Sequence, residues 1–251
     1  MYMSIKSKIN DIVNFIEDLF LTSHKCISCG REVPDYVKTK LCETCSKNLS
    51  KISGEICVRC GESVVAGNKY CDGCKNMDYK FDENHSYAVY DDISGRVVKS
   101  LKYSGNKYIA KNIAEMLFED KKYFEGVDYI TFVPIGRERL KERGFNQAEE
   151  IAMHVSKLAG VPIIGTLEKI KENTHQAGLT RKERVKNIVN TIAVREKEKE
   201  TIKGKVVLVI DDVFTTGSTL SECAKVLKKS GATKVRTLTF AKTKQNMINI
   251  N

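Results

Sequence analysis

Residues 206–219, Val-Val-Leu-Val-Ile-Asp-Asp-Val-Phe-Thr-Thr-Gly-Ser-Thr, place two opposite kinds of chemistry at one point of the chain. Asp211 and Asp212 offer only acceptors when ionised, which suits the vicinal hydroxyls of a sugar, held directly or through a divalent cation. The same charges repel a phosphate. Thr215, Thr216, Gly217, Ser218 and Thr219 have the reverse preference. A turn of small residues exposes backbone N–H groups, supplies four hydroxyls and opens on to an expected helix N-terminus, whose partial positive charge favours anions. A hydroxyl site beside a phosphate site fits a ribose 5-phosphate. The loop lacks the Gly-Lys-Ser/Thr of a P-loop and the spaced glycines of a dinucleotide fingerprint, so neither of those phosphate motifs applies.

The elements that must position this chemistry follow from the flanking pattern. Five apolar residues, 206–210, lead into the acids without polar alternation. Such a run suits a strand buried on both faces of a helix-covered parallel sheet, where ligands bind beyond the C-terminal strand ends. A second strand is expected at 129–134, and its end releases Arg137, Arg139, Lys141 and Arg143 between Gly136 and Gly144. Four bases there, followed by a helix over 147–158, suit a pyrophosphate. Glu138 and Glu142 interleave them, so Arg137, Glu138 and Lys141 read as an exposed helical turn with i,i+4 pairs. Upstream, 79–90 reads as a linker and first strand centred on residues 87–90, and 93–103 and 106–119 as helices. Residues 167–190, with six bases and three acids, read as a basic surface loop placed to close over phosphates, leading to a short helix. The charged run 195–205 reads as a solvated turn.

Eight of the nine cysteines lie between Cys26 and Cys74 as four Cys-x-x-Cys pairs: Cys26/Cys29, Cys42/Cys45, Cys57/Cys60 and Cys71/Cys74. They supply two tetrahedral four-thiolate sites, the ordinary ligand set of structural Zn2+. Spacing leaves two assignments open, the first pair with the second or the first with the third. Gly30, Gly61 and Gly73 fit tight turns beside the pairs. A disulfide framework expects a secretory signal, yet Asn10, Asp11, Asn14, Glu17 and Asp18 interrupt the N-terminal apolar residues, and iron–sulfur ligation shows other spacings. Zinc in a cytoplasmic protein is the expectation. Cys223, after the acidic motif, reads as a small buried hydrophobe.

A chain of 251 residues suffices for one α/β domain and a smaller module. The expected division is an amphipathic helix (1–24), a double zinc ribbon (25–77), a sheet domain (80–243) and a tail (244–251). The N-terminal helix carries Ile5, Ile9, Ile12, Val13, Ile16, Leu19 and Phe20 on one face and acids on the other, so it is expected to pack on protein rather than enter a membrane. Forty-two Lys and Arg against 32 Asp and Glu leave a net charge of +10, which favours nucleic acid or phosphorylated substrates as partners.

Asp211-Asp212-x-x-Thr215-Thr216-Gly217-Ser218-Thr219 resembles the phosphoribosyl-pyrophosphate (PRPP) motif of type I phosphoribosyltransferases. Together with the four cysteine pairs, Arg143-Gly144-Phe145-Asn146-Gln147 and Gln176-x-x-Leu179-x-x-x-x-Arg184-x-x-Asn187, it is similar in order and spacing to the ComF family over nearly the whole chain. The resemblance implies an α/β domain of the type I phosphoribosyltransferase fold, a parallel-sheet core flanked by helices, with a small N-terminal Cys-rich zinc-binding module. It implies that Asp211, Asp212 and Thr215, Thr216, Gly217, Ser218 and Thr219 bind PRPP, the two acids being the catalytic pair. Arg143 and Gln147 would lie near the pyrophosphate, and Gln176, Arg184 and Asn187 would line the active-site hood. Mg2+ with PRPP, two Zn2+, single-stranded DNA and a helicase-like competence protein are the implied cofactors and partners, in DNA uptake. Where the family often has arginines before the glutamine, this chain has Lys169 and Lys171, which keep the charge and lose bidentate phosphate recognition.

Three functions remain open on these grounds: a PRPP-binding protein of DNA uptake, a purine or pyrimidine salvage phosphoribosyltransferase, and a non-catalytic DNA or protein adaptor on that fold. The zinc ribbon favours the first, since a free-base enzyme has no evident need of one. Only Tyr36 and Tyr70 interleave the bases of the ribbon, which speaks against extensive base stacking there.

Overall fold

The computed structural model describes residues 24–103, 107–171 and 188–244. The expected N-terminal helix, Gln176, Arg184, Asn187 and the tail beyond residue 244 lie outside the described residues.

The chain opens as two copies of one small device. In the first, Cys26 N–H donates to Arg31 O at 2.6 Å and Gly30 N–H to Cys26 O at 2.9 Å, closing a turn around Cys26 and Cys29. Cys42 then caps α1 (Glu43–Asn48), which carries the buried Cys45. The second copy repeats this with Cys57 and Cys60, then Cys71 capping α2 (Asp72–Lys75), which carries Cys74. Gly30 and Gly61 take left-handed φ of 78° and 74° in the two turns, whereas Gly73, expected in a turn, lies inside α2.

After the ribbons come β1 (Glu83–Val89), α3 (Asp92–Tyr103), α4 (Tyr108–Leu117), β2 (Tyr129–Phe132), α5 (Arg137–Arg143), α6 (Gln147–Ala159), β3 (Leu167–Lys169), β4 (Ile192–Val194), α7 (Lys199–Ile202), β5 (Val206–Phe214), α8 (Ser218–Lys229) and β6 (Lys234–Lys242). β1, β6, β5 and β2 form a parallel sheet in that order, and β3 pairs antiparallel with β4. β5 lacks polar alternation because both its faces are covered: Leu208 and Ile210 join the core with α3, α4 and α6, and Val207 and Val209 join the core with α8. Cys223 is completely buried in that second core.

β6, which no apolar run announces, sits between β1 and β5. Its buried threonines are satisfied by β1: Thr239 and Ser86 hydroxyls lie 2.7 Å apart, and Thr237 Oγ1 donates to Asn84 Oδ1 at 2.8 Å. Two further differences from the sequence pattern have clear causes. The expected loop at 167–190 begins with β3, held by its register with β4. The charged run 195–205 folds into a 3-10 turn (Glu196–Glu198) and α7, because Ile202 is driven into the core and is fully buried.

The ribbons protect β1, which would otherwise be a bare sheet edge. Ile52 N–H donates to Tyr87 O at 2.9 Å, Val89 N–H to Ser50 O at 2.8 Å and Asn84 N–H to Val58 O at 2.8 Å. Cys26, Val33, Leu41, Cys45 and Leu49 of the first ribbon join the core on one face of the sheet, while Cys57, Cys60 and Cys74 of the second join the core on the other. The module therefore straddles the edge strand. Phe240, fully buried in β6 and stacked on Tyr87 with ring centroids 6.1 Å apart, sits where sheet and first ribbon meet. Phe240→Ala is expected to cost about 3–5 kcal/mol of folding stability, as read from urea unfolding.

Candidate ribose-phosphate site

β2 and β5 pair as far as Phe132 and Ile210, and Val133 N–H donates to Ile210 O at 3.0 Å. The next rung is missing, because Val133 O accepts from Asn146 Nδ2 at 3.0 Å and Asp212 N–H turns to Asp211 Oδ1 at 2.9 Å. β5 continues through Asp211, Asp212, Val213 and Phe214, paired with β6 alone. Where the strands part, a cleft of about 170 Å³ opens. This is the crevice beyond the carboxyl ends of parallel strands in which ligands of open α/β sheets bind.

One wall of the cleft is acidic. Asp212 is 8% exposed, and its Oδ2 lies 2.6 Å from Lys102 Nζ at the end of α3. Asp211 Oδ1 accepts from Asp212 N–H at 2.9 Å. Burial first, then the neighbouring Asp212 charge, holds the Asp211 carboxyl well above the ordinary aspartate range. Other elements line the cleft with bases: Arg139 and Arg143 from α5 and Lys169 from β3. Arg143 Nη1 donates to Gln147 Oε1 at 3.0 Å, and its guanidinium carbon lies 5.8 Å from the centre of the Tyr103 ring.

The Arg143–Gln147 motif divides its labour. Gly144 ends α5 with a left-handed φ of 77°, and Phe145 enters the core. Asn146 lines the cleft, but its side chain is committed to the backbone: Oδ1 accepts from Ala148 N–H at 3.1 Å, capping α6, and Nδ2 donates to Val133 O at 3.0 Å. That second bond ties the α6 cap to the point where β2 leaves the sheet.

The Thr/Gly/Ser loop turns between β5 and α8. Gly217 has φ of 72°, and a Cβ there would lie 2.6 Å from Phe214 Cζ and 2.8 Å from Tyr79 Cε1, so both backbone angle and space demand glycine. Thr216 Oγ1 and Ser218 Oγ lie 2.7 Å apart. Thr219 lines the cleft with the acids. Thr216 and Ser218 instead border a neighbouring cavity of about 340 Å³ beside Tyr79, and Thr215 is exposed.

The cleft thus brings together Asp211, Asp212, Thr219, Arg143 and Gln147 of the expected site residues. Glu138, expected on a solvated face, also lines it, as does Lys169. Arg139, one of the four bases expected beside a pyrophosphate, lines it too, and Lys102, which the sequence did not single out, joins them. Local spacing carries no signal for Lys102, because its partner Asp212 is remote in the chain and they meet only when α3 packs beside β5.

The eight ribbon thiols form two clusters, Cys26 with Cys29, Cys42 and Cys45, and Cys57 with Cys60, Cys71 and Cys74, each with its sulfurs within 4.8 Å of one another. The assignment is therefore sequential, not interleaved. Four sulfurs at about 2.3 Å from one Zn2+ lie about 3.8 Å apart, and Cys29 to Cys42 is 3.7 Å while Cys60 to Cys71 is 3.6 Å. The donor sets fit Zn2+. Arg31 Nε donates to Cys29 Sγ at 3.4 Å, a cation beside the thiolates.

Residues 16–75 match the double zinc ribbon domain, and residues 140–250 match the phosphoribosyl transferase domain. Competence protein F of Haemophilus influenzae is 27% identical over 219 residues, covering 84% of this chain and 94% of that protein. Competence protein ComFC of Streptococcus pneumoniae is 24% identical over 236 residues, covering 87% and 100%. The chain is similar to these competence proteins over more than four fifths of its length. A further relative, DNA utilization protein YhgH of Salmonella typhimurium, is 24% identical over 211 residues, covering 81% and 90%. The fold is that of the type I phosphoribosyltransferases, a parallel sheet flanked by helices, with the double ribbon at its N-terminal side. The transferase match begins inside α5, yet two of the four parallel strands, β1 and β2, come from upstream of it. Among the described residues no helix is long and apolar enough to cross a membrane.

The raised Asp211 pKa has a consequence for stability. The folded protein holds that proton more tightly than the unfolded chain, so stability falls as pH rises from the ordinary aspartate value of about 3.9 toward the raised folded value. Asp211→Asn removes the titration. It is expected to melt higher than the parent at neutral pH, with the advantage disappearing as pH drops below about 4, which thermal melts from acid to neutral pH check.

Proposed function

We propose that this protein binds PRPP with Mg2+ in the cleft between β2 and β5, and serves the handling of incoming single-stranded DNA. The observation that carries the reading is the meeting of Asp211, Asp212 and Thr219 with Arg139, Arg143, Gln147 and Lys169 around one cleft at the parallel strand ends. Acids and bases around one small cleft match a ligand that carries both sugar hydroxyls and a pyrophosphate. Asp211 and Asp212 hold the ribose hydroxyls. Thr215, Thr216, Gly217, Ser218 and Thr219 take the 5-phosphate, and Arg143 and Gln147 lie beside the pyrophosphate with Arg139 and Lys169. The resemblance assigns Gln176, Arg184 and Asn187, which lie outside the described residues, to the same ligand.

Phosphoryl oxygens and carboxylates are the hard donors Mg2+ prefers, and the cation would add positive charge beside the leaving pyrophosphate. The chemistry this constellation supports is attack at C1 of the ribose with loss of pyrophosphate. The acids then face positive charge developing on the sugar, and the bases face negative charge developing on the leaving group. Lys102 Nζ pairs with an Asp212 oxygen at 2.6 Å. It must yield that oxygen when a hydroxyl or cation takes it, and its charge stays close by.

The DNA side of the reading rests on the names of the relatives, two competence proteins and a DNA utilization protein, and on the net charge of +10. The double ribbon and the bases around the cleft are the surfaces assigned to a single strand and to a helicase-like partner, in the cytoplasm.

Calorimetry with PRPP and Mg2+ tests the site. Binding to the intact protein is expected, weakened at least about tenfold when both Asp211→Asn and Asp212→Asn are present with zinc retained, because charge-assisted bonds to the ribose are lost. An intact protein that ignores PRPP overturns the reading in favour of an adaptor role. Binding of a single-stranded oligonucleotide should weaken linearly on a log scale with rising salt, as phosphate contacts require.

A further inference from the structure

The segment leaving the second ribbon lies against the motif loop on its way to β1. Met77 N–H donates to Cys74 O at 3.1 Å, which ties the segment to the last thiolate-bearing residue. Tyr79 follows two residues later, and its hydroxyl donates to Thr216 O at 2.9 Å. Its ring stacks on Phe81 with centroids 4.9 Å apart and meets the Phe214 ring edge-on at 6.1 Å. The same ring crowds the empty space above Gly217. Lys80 N–H then donates to Ser221 Oγ at 3.0 Å, in the first turn of α8. Phe81 is buried in one core with Cys57, Cys60 and Cys74.

These contacts fix one peptide plane in particular. In a trans peptide the carbonyl and the following N–H point in opposite directions. Tyr79 draws the Thr216 carbonyl toward itself, so the Gly217 N–H is presented on the side away from Tyr79. The ring, packed where a side chain would otherwise sit, blocks the loop from relaxing in its direction. An anion-binding loop works only if its N–H groups are held in place before the anion arrives.

We infer that Tyr79 is a positioning residue for the loop 215–219, and that through it the loop's geometry depends on the second four-thiolate cluster. The inference builds on the reading that this loop holds the 5-phosphate of PRPP. It gives the second ribbon a task distinct from covering the sheet edge: bracing the phosphate loop from behind.

Full-length protein, Tyr79→Phe and Tyr79→Ala are compared by hydrogen exchange of the amides of residues 215–219. They are also titrated with PRPP and, separately, inorganic pyrophosphate, each with Mg2+. Tyr79→Phe loses one neutral hydrogen bond, so loop exchange should quicken by about threefold to tenfold. Tyr79→Ala loses the packed ring as well and should quicken further. PRPP affinity should fall by matching factors, while pyrophosphate, which has no 5-phosphate, should bind as before. Cys71→Ser, which removes a ligand from the second cluster alone, should quicken loop exchange in the parent and add nothing to Tyr79→Ala, the sign of a shared path. If that variant does not fold, stepwise zinc removal with a chelator supplies the same comparison. Parent-like loop protection in Tyr79→Ala overturns the inference. Equal losses of PRPP and pyrophosphate binding do so too, since they mark general loosening. A parent that binds neither ligand sinks the proposed function, yet the exchange comparison still decides the role of Tyr79.

Discussion

The β2–β5 ladder stops at Val133, whose carbonyl accepts from Asn146 Nδ2 at 3.0 Å while Asp212 N–H turns to Asp211 Oδ1 at 2.9 Å, and the cleft opens where that rung is missing. β5 goes on alone on that side, so its two acids keep one flank free of a neighbouring strand. The chain leaving β2 is held by Asn146, whose amide bonds Val133 O while its oxygen caps α6. Through that residue the start of α6, and with it Gln147 and Arg143, are set relative to the acids. The bases and acids of the cleft thus sit on separate elements referred to a single break in a ladder.

The double ribbon is part of the same construction. Four strands leave an edge at β1, and the linker between ribbons satisfies its backbone groups while each ribbon packs on a different face. Lys242, the last residue of β6 and almost fully buried, pairs with Glu62 of the second ribbon, so the module also touches the strand next to the one bearing the acids. The module's eight thiols form two clusters that fit Zn2+, and ligation there would rigidify the module where it contacts the strand ends.

Charge at the cleft is arranged against stability. Two adjacent carboxylates in a partly buried position repel one another, and burial penalises their ionised forms. Lys102 offsets part of this through its 2.6 Å contact with Asp212. Functional sites commonly hold groups in surroundings that cost stability, because those surroundings bind a ligand strongly once it supplies the missing charge.

Much of the architecture was legible from local pattern. The apolar run of β5, the helices α3, α4 and α6, and the helical turn of α5 all follow from period and punctuation, which reflect neighbours a few residues apart. β6 was not legible, since its threonines are tolerable only with Asn84 and Ser86 across from them. Nor was the burial of Ile202 within a charged run. The sequence by itself determined the eight thiols, the order of acids and hydroxyls in the motif loop, and the bases after β2, because these are properties of adjacent residues. Only the tertiary structure decided that the thiols pair sequentially, that Thr219 rather than Thr216 or Ser218 lines the acidic cleft, and that Lys102 and Tyr79 reach the motif. Each of those depends on distances between segments remote in the chain, which no local spacing encodes and which packing alone sets.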